Sequence, residues 1–229
     1  MRLSLLIVFA LWVYPSLQEK EFSRLREKMV KEQIEDRGIV EPSTLSSMRK
    51  VQRHLFVPDD MVDYSYDDRP LPIGYGQTIS QPYIVAYMTE IINPRPDYNV
   101  LEIGTGSGYQ AAVLSGIVKE VYSIEIIDSL GNQARKRLDK LNYKNIHVRL
   151  GDGYHGLKDK APFDAIVVTA AAEHIPPPLI SQLKENGRMI IPVGSPFMTQ
   201  QLMLVEKKKG RIRTSSMIPV QFVPFKRRQ

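Results

Sequence analysis

The chain contains no cysteine in 229 residues, which excludes disulfides, thiolate-ligated zinc or iron–sulfur sites and a cysteine nucleophile. Histidine is sparse as well. His54, His147, His155 and His174 are scattered and show neither metal-ligand nor triad spacing, so none is a candidate catalytic group. No apolar run reaches the ~20 residues that a membrane-spanning helix needs. The longest, Leu3 to Leu17, follows Arg2 and gives way to polar residues from Gln18, the layout of a secretory signal peptide. Its cleavage site is poor, Ser16-Leu17-Gln18 being the nearest candidate, so the segment reads either as an export signal or as a tether or upstream-start remnant. There is no internal repeat and no low-complexity stretch.

What is present suits one α/β domain of 19–229 with an N-terminal helical extension, preceded by the apolar segment 1–18. The 43% hydrophobic and 24% charged composition is that of a globular chain with a full core. The net charge of +6 suggests a nucleic-acid binder until its placement is examined. Residues 206–229 carry eight basic groups against Glu206 alone, and the rest carry 23 basic against 24 acidic groups. A neutral body with a basic C-terminus predicts a solvated hairpin and tail, with a polyanion contact as the alternative, and not a groove that reads RNA.

Phe22, Leu25, Met29 and Ile34 recur at helical spacing between Glu19 and Arg37, with Gly38 at the C-terminal cap. A short helix opens near Pro42 and turns Leu45, Met48 and Val51 inward. From His54 to Gln77 the composition predicts a long ordered loop, and a helix follows from Pro82 to about Ile92. Strands and helices then alternate: strands Asn99–Ile103, Glu120–Ile126, Asn145–Leu150, Asp164–Val168 and Arg188–Val193, with helices Gly108–Ile117, Asp128–Leu141 and Pro177–Lys184 between them. Continuous β-branched runs joined by helices predict a doubly wound, mostly parallel sheet. Gln201–Glu206 and Arg211–Phe225, joined by a Lys-Lys-Gly turn, read as antiparallel strands that close it.

Val100-Leu-Glu-Ile-Gly-Thr-Gly-Ser-Gly places a buried strand before Gly104, Gly106 and Gly108 and the start of a helix. Such glycines let backbone turn sharply and approach a ligand, with Thr105 and Ser107 between them. The spacing is G-x-G-x-G rather than the dinucleotide G-x-G-x-x-G, which favours a cofactor that brings no pyrophosphate to the helix N-terminus. Glu125 ends the second strand, where a carboxylate can accept bonds from both ribose hydroxyls, as NAD or S-adenosylmethionine would require. Asp152, between Gly151 and Gly153, stands where an adenine amino group is expected; a plain turn is the other reading. Glu102 is placed to answer a methionyl ammonium, directly or through water. Together these features predict an adenosyl cofactor.

The blocks Leu71-Pro-Ile-Gly-Tyr-Gly-Gln-Thr-Ile-Ser-Gln-Pro, Val100 to Leu114, Gly151-Asp-Gly-Tyr, Phe163-Asp-Ala-Ile-Val-Val-Thr-Ala-Ala, Ile190-Ile-Pro-Val-Gly and Pro219-Val-Gln-Phe-Val-Pro-Phe resemble the protein-L-isoaspartate O-methyltransferase family, over about Met29 to Phe225. The resemblance implies the doubly wound, Rossmann-like fold of S-adenosylmethionine-dependent methyltransferases. It implies methylation of the free carboxylate of L-isoaspartyl residues in age-damaged proteins and peptides. It also implies the cytoplasm, where S-adenosylmethionine is made, in conflict with the export-like N-terminus, whose alternative is an exported or periplasmic protein. Ser80 matches the family's active-site serine; as a bare residue before Pro82 it reads as a helix N-cap. Gln77, Thr78 and Ile79 join the cofactor site. Ile73, Gly74, Thr169, Ala170 and Val220 line the peptide cleft, against the readings of a turn, of packing space and of a plain strand. Some members carry a cofactor-contacting histidine five residues after the serine, where this chain has Val85.

The acceptor carboxylate is ionised at neutral pH, with a reference pKa of ~4, so alignment and water exclusion suffice and no strong base is required. Rival readings fare worse. Thr169-Ala-Ala-Ala-Glu-His is unlike the Pro-Pro-aromatic set of base amino-methylation, pyrimidine C5 methylation lacks its cysteine, and a nicotinamide dehydrogenase fails on glycine spacing. A non-enzymatic binding module is disfavoured by the intact set of Ser80, Glu125, Asp152 and the glycines.

Overall fold

A computed structural model describes residues 17–195 and 198–228. The apolar segment whose export role is in question therefore lies almost wholly outside the described residues. No helix among the described residues is long and apolar enough to cross a membrane.

Helical turns over 17–28 (α1) continue through a π-helical stretch, Met29–Ile34, and a 3₁₀ turn, Glu35–Arg37, that ends at Gly38 with φ 95°. Met29, Val30 and Ile34 are buried on this stretch. α2 (Pro42–Lys50) and α3 (Pro82–Ile91) each begin with proline at a first-turn position. The stretch expected to be loop between His54 and Gln77 is more ordered. It holds 3₁₀ turns at Arg53–Phe56 and Asp59–Tyr64, and it forms a hairpin of β1 (Leu71–Gly74) and β2 (Gln77–Ile79). Its strands are too short for their alternation to stand out in sequence.

The main sheet has seven strands: β3 (Asn99–Ile103), β4 (Glu120–Glu125), β5 (Ile146–Leu150), β6 (Phe163–Val168), β7 (Leu183–Val193), β8 (Gln200–Lys208) and β9 (Arg211–Val220), in the order β5-β4-β3-β6-β7-β8-β9. Pairs from β5 to β7 are parallel, and β8 and β9 close the sheet antiparallel as expected. α4 (Tyr109–Ser115) and α5 (Asp128–Lys140) connect the first three strands. α6 is only Pro177–Ser181, because β7 starts at Leu183 and takes residues expected to be helical. β9 likewise stops at Val220, short of Phe225.

Strand alternation divides the core. Val100, Val121, Ala165, Val167 and Ile190 pack under α3 and α4, and Leu101, Ile103, Ile124, Ile166 and Val168 face the side of α6. The chain leaves β3 toward β4 and β5 and later returns to the other side as β6 and β7. This reversal opens a crevice beyond the carboxyl ends of β3 and β6.

Candidate functional site

Two adjoining clefts occupy that crevice. The inner one, about 750 Å³ with its mouth, is walled by the glycine loop, the β2 hairpin strand, the end of β4 and Gly153. The outer groove runs between Pro70, Ile84, Thr199, Pro219, Val220 and Phe222. Thr78, Ser80, Thr169 and Val223 border both.

The glycine loop is shaped by positive φ at Gly104 (96°), Gly106 (52°) and Gly108 (89°). At Gly104 a Cβ would collide with Thr169 Oγ1, which bonds the Gly104 carbonyl at 2.7 Å and the Ile103 carbonyl at 3.0 Å. β3 and β6 are thereby locked together at the floor of the site. Gly104, Thr105, Gly106 and Ser107 line the inner cleft, whereas Gly108 caps α4 against Leu138 and lies off its wall. Ser107 Oγ accepts from the Tyr109 N–H at 3.3 Å.

Glu125 stands at the cleft edge as expected. Its Oε2 accepts from the Gly106 N–H at 2.8 Å and its Oε1 from the Ile127 N–H at 2.9 Å. The carboxylate is thus held rigid, and each oxygen keeps a further lone pair for a ligand hydroxyl.

Two other carboxylates depart from expectation. Glu102 alternates away from Leu101 and Ile103 and lies fully buried beneath the glycine loop, off both clefts. The Ser123 hydroxyl donates to its Oε2 and is itself 2.6 Å from Thr105 Oγ1, so Glu102 reaches the loop only through two hydroxyls. Burial pushes its pKa up to about 8, helped by the nearby Glu125 and opposed by the Ser123 bond. Off both clefts, the Glu102 carboxyl makes no direct contact with a ligand there, and an indirect one would run through Ser123 and Thr105. Asp152 is likewise off the wall, although Gly153 is on it. Its Oδ1 accepts from the Tyr154 N–H, and its Oδ2 accepts from Arg227 Nε at 2.8 Å and the Arg228 N–H at 3.2 Å. The basic tail expected in solvent is therefore folded onto the site.

Gln77, Thr78, Ile79 and Ser80 all line the inner cleft, where Gln77 also bonds back to the Gly76 carbonyl at 2.8 Å. Ser80 is not the helix cap: Gln81 is the N-cap of α3 and no side chain caps it. Ser80 instead stands on the wall shared by the two clefts. Thr169 and Val220 border the outer groove, and Ala170 borders the inner cleft. Ile73 and Gly74 do neither. Ile73 is buried in the core with its Cδ1 3.4 Å from where a Gly106 Cβ would stand, and Gly74 is in the exposed hairpin. Ile73 supports the glycine loop from behind. Val85 forms an apolar wall of the inner cleft.

Sequence reasoning missed Tyr109, Gln110, Ile124 and the run Val223–Lys226, all on the inner cleft. The last of these arrives from the far end of the chain, where the Pro219–Phe225 block reads in sequence as strand and not as a wall of the cofactor cleft. His54, by contrast, is structural: it stacks on Phe22 at 4.0 Å between ring centroids and bonds the Tyr66 hydroxyl at 2.8 Å, and burial lowers its pKa.

The inner cleft combines apolar side chains, close-approach backbone and one acidic anchor, with Lys226 the lone basic side chain on its wall. That donor set fits a nucleoside bearing a short polar tail and no phosphates, as S-adenosylmethionine is. Comparison with known proteins agrees. The family profile described as Protein-L-isoaspartate(D-aspartate) O-methyltransferase matches residues 24–229. A protein-L-isoaspartate O-methyltransferase of Nitrosospira multiformis is 56% identical, over 92% of this chain and 90% of its own. One from Opitutus terrae is 53% identical over 99% and 97%. A solved Plasmodium falciparum structure, described as a beta-aspartate methyltransferase in complex with S-adenosyl-L-homocysteine, superposes with a TM-score of 0.78 at 27% identity, covering 89% of this chain and 99% of that one. With its sheet order, glycine loop and paired clefts, this S-adenosylmethionine-dependent enzyme belongs to the protein-L-isoaspartate O-methyltransferase family.

Proposed function

We propose that residues 19–229 act as one catalytic unit that methylates the free carboxylate of L-isoaspartyl residues in damaged proteins and peptides, with Ser80 orienting that carboxylate. The observation that carries this reading is the shared wall. Thr78, Ser80 and Thr169 border both the inner cleft and the groove beside it, so a donor in one and an acceptor in the other meet along this wall, where the Thr169 hydroxyl already donates to the Ile103 and Gly104 carbonyls. The bound cofactor supplies an electrophilic methyl group on a positively charged sulfur. Glu125 anchors the ribose hydroxyls while it fixes the Gly106 and Ile127 amides, and the glycine loop lets the cofactor approach the backbone.

The acceptor needs no base because it is already an anion at neutral pH. Ser80 holds it in line, and Val85, Ile124 and the Val223–Phe225 segment keep water away from the reacting atoms. Val220 and its neighbours at the end of β9 flank the extended chain of the substrate. The backbone amide nitrogen of the next residue then attacks the methyl ester and expels methanol, closing a succinimide without help from the enzyme, and hydrolysis of that ring by water permits return to normal aspartate. Cofactor supply favours the cytoplasm as the site of action, against the alternative of an exported or periplasmic protein carried by the apolar segment 1–18; N-terminal sequencing of the native protein, which shows whether that segment is removed, tests this. The activity is tested with radiolabelled S-adenosylmethionine and two peptides that differ only in the isoaspartyl linkage. Label should enter the L-isoaspartyl peptide alone, and equal labelling of its aspartyl twin refutes the reading.

A further inference from the structure

The end of the chain crosses the inner cleft and is fastened on both sides of it. On the β6 side, the Ala171 N–H donates to the Val223 carbonyl and the Phe225 N–H to the Ala171 carbonyl, each at 2.8 Å, and the Phe222 N–H donates to Gln200 Oε1 at 2.7 Å. On the far side, Arg227 pairs with Asp152 after β5 at 2.8 Å, and Arg228 pairs with Asp128 at the start of α5 at 2.5 Å. The Arg227 guanidinium also lies over the Tyr154 ring, 3.6 Å from its centroid. In the sheet β3 and β4 lie between β5 and β6, so the segment between these anchors spans the glycine loop. Val223 to Lys226 accordingly form part of the cleft wall.

We propose that Arg227 and Arg228 are positioning residues that latch this C-terminal strap over the bound cofactor, so that entry of S-adenosylmethionine and release of S-adenosylhomocysteine both require the latch to open. The two anchorages differ in kind. The Ala171 side is a backbone ladder continuous with the fold. The other side is a pair of ion pairs in which Arg227 and Arg228 are about half exposed, the kind of contact that opens locally without global unfolding. Asp152 is 10% exposed. Burial by itself would raise its pKa, yet the bonds from Arg227, Tyr154 and Arg228 outweigh this and hold it below the usual carboxylate range. The latch is therefore charged on both sides at neutral pH. It also uses the lone pairs of Asp152 that an adenine amino group would otherwise seek.

The inference rests on the cofactor reading of the inner cleft, and the experiment separates the two. Immobilised full-length enzyme is exposed to S-adenosylhomocysteine, and association and dissociation rates are measured by surface plasmon resonance for wild type, Arg227→Ala/Arg228→Ala, Arg227→Lys and Asp128→Asn. Removing the latch should raise both rates by about tenfold or more, the factor carried by a charge-assisted hydrogen bond, and leave the affinity within about threefold. Asp128→Asn, which breaks only the outer pair, should move both rates in the same direction by less, and Arg227→Lys should restore part of the slow exchange. Added salt should speed exchange in wild type and not in the double variant. Unchanged rates in the double variant overturn the latch. So does a rise in dissociation alone with an equal loss of affinity, which would make the strap a contact and not a gate. Failure of wild type to bind S-adenosylhomocysteine would instead remove the cofactor reading on which the latch rests.

Discussion

Glu102 offers a prediction whose size follows from the structure. The side chain is fully buried, its Oε1 has no hydrogen-bond partner, and its pKa is pushed from 4.5 up to about 8. Between those two values the folded protein keeps a proton that the unfolded chain has released, so stability falls as pH rises through the window. Below the lower value both states are protonated and nothing is lost; above the upper value the loss is complete. Each pH unit in the window costs ~1.36 kcal/mol, for a total of roughly 5 kcal/mol by about pH 8. That is a large share of the 5–15 kcal/mol typical of a folded domain. Glu102→Gln removes the titration while keeping the shape and the oxygen that accepts from Ser123. It introduces one buried amide donor at the orphaned position, at a cost of about 1–3 kcal/mol that does not vary with pH. The variant should therefore be the less stable protein near pH 5 and the more stable one near pH 8, the curves crossing between them. Urea unfolding at several pH values measures this, and subtracting the two curves cancels other groups such as His54. Parallel curves across that range would refute the assignment of a neutral, buried Glu102.

Four further expectations address the site. Ser80→Ala should lower kcat for an isoaspartyl peptide at least about tenfold while the cofactor Kd changes little, since one oriented hydrogen bond of ~1.4 kcal/mol is lost at the reacting centre; unchanged turnover in a steady-state assay removes Ser80 from the mechanism. Gly104→Ala combines a φ of 96° with a collision at Thr169 Oγ1, and calorimetry should find cofactor affinity down by more than about tenfold. Gly131→Ala, inside α5, would ordinarily gain about 1 kcal/mol of helix propensity. Here its Cβ would strike Leu150 and stand 3.2 Å from the Glu125 Cβ, so thermal melting should show destabilisation and the cofactor KM should rise. Glu125→Gln leaves one of the Gly106 and Ile127 amides facing a donor, and cofactor binding should weaken by about 1–3 kcal/mol in the same calorimetric assay.

Much of this enzyme is written locally. Continuous β-branched strands, the proline starts of α2 and α3, Gly38 at a left-handed cap and the Lys209-Gly210 hairpin turn are short-range signals, and the structure follows them. The glycine loop and Glu125 were legible because backbone that must approach a ligand, and a carboxylate that ends a parallel strand, are features of single segments. The failures share one physical cause. Whether a side chain faces a cleft depends on which distant segments cover it. Asp152 and Glu102 carry the right chemistry at the right strand ends, yet Asp152 is claimed by Arg227, 75 residues away, and Glu102 turns under the loop toward Ser123. Ile73 and Gly74 resemble a family motif, yet Ile73 packs behind the glycine loop and Gly74 stands in the exposed hairpin. The sequence by itself determined the α/β architecture and the cofactor class. Tertiary structure alone decided that Ser80 stands between two clefts and that a tail whose charge suggested solvent is folded along the inner cleft, because such contacts arise from chain crossings that no local pattern encodes.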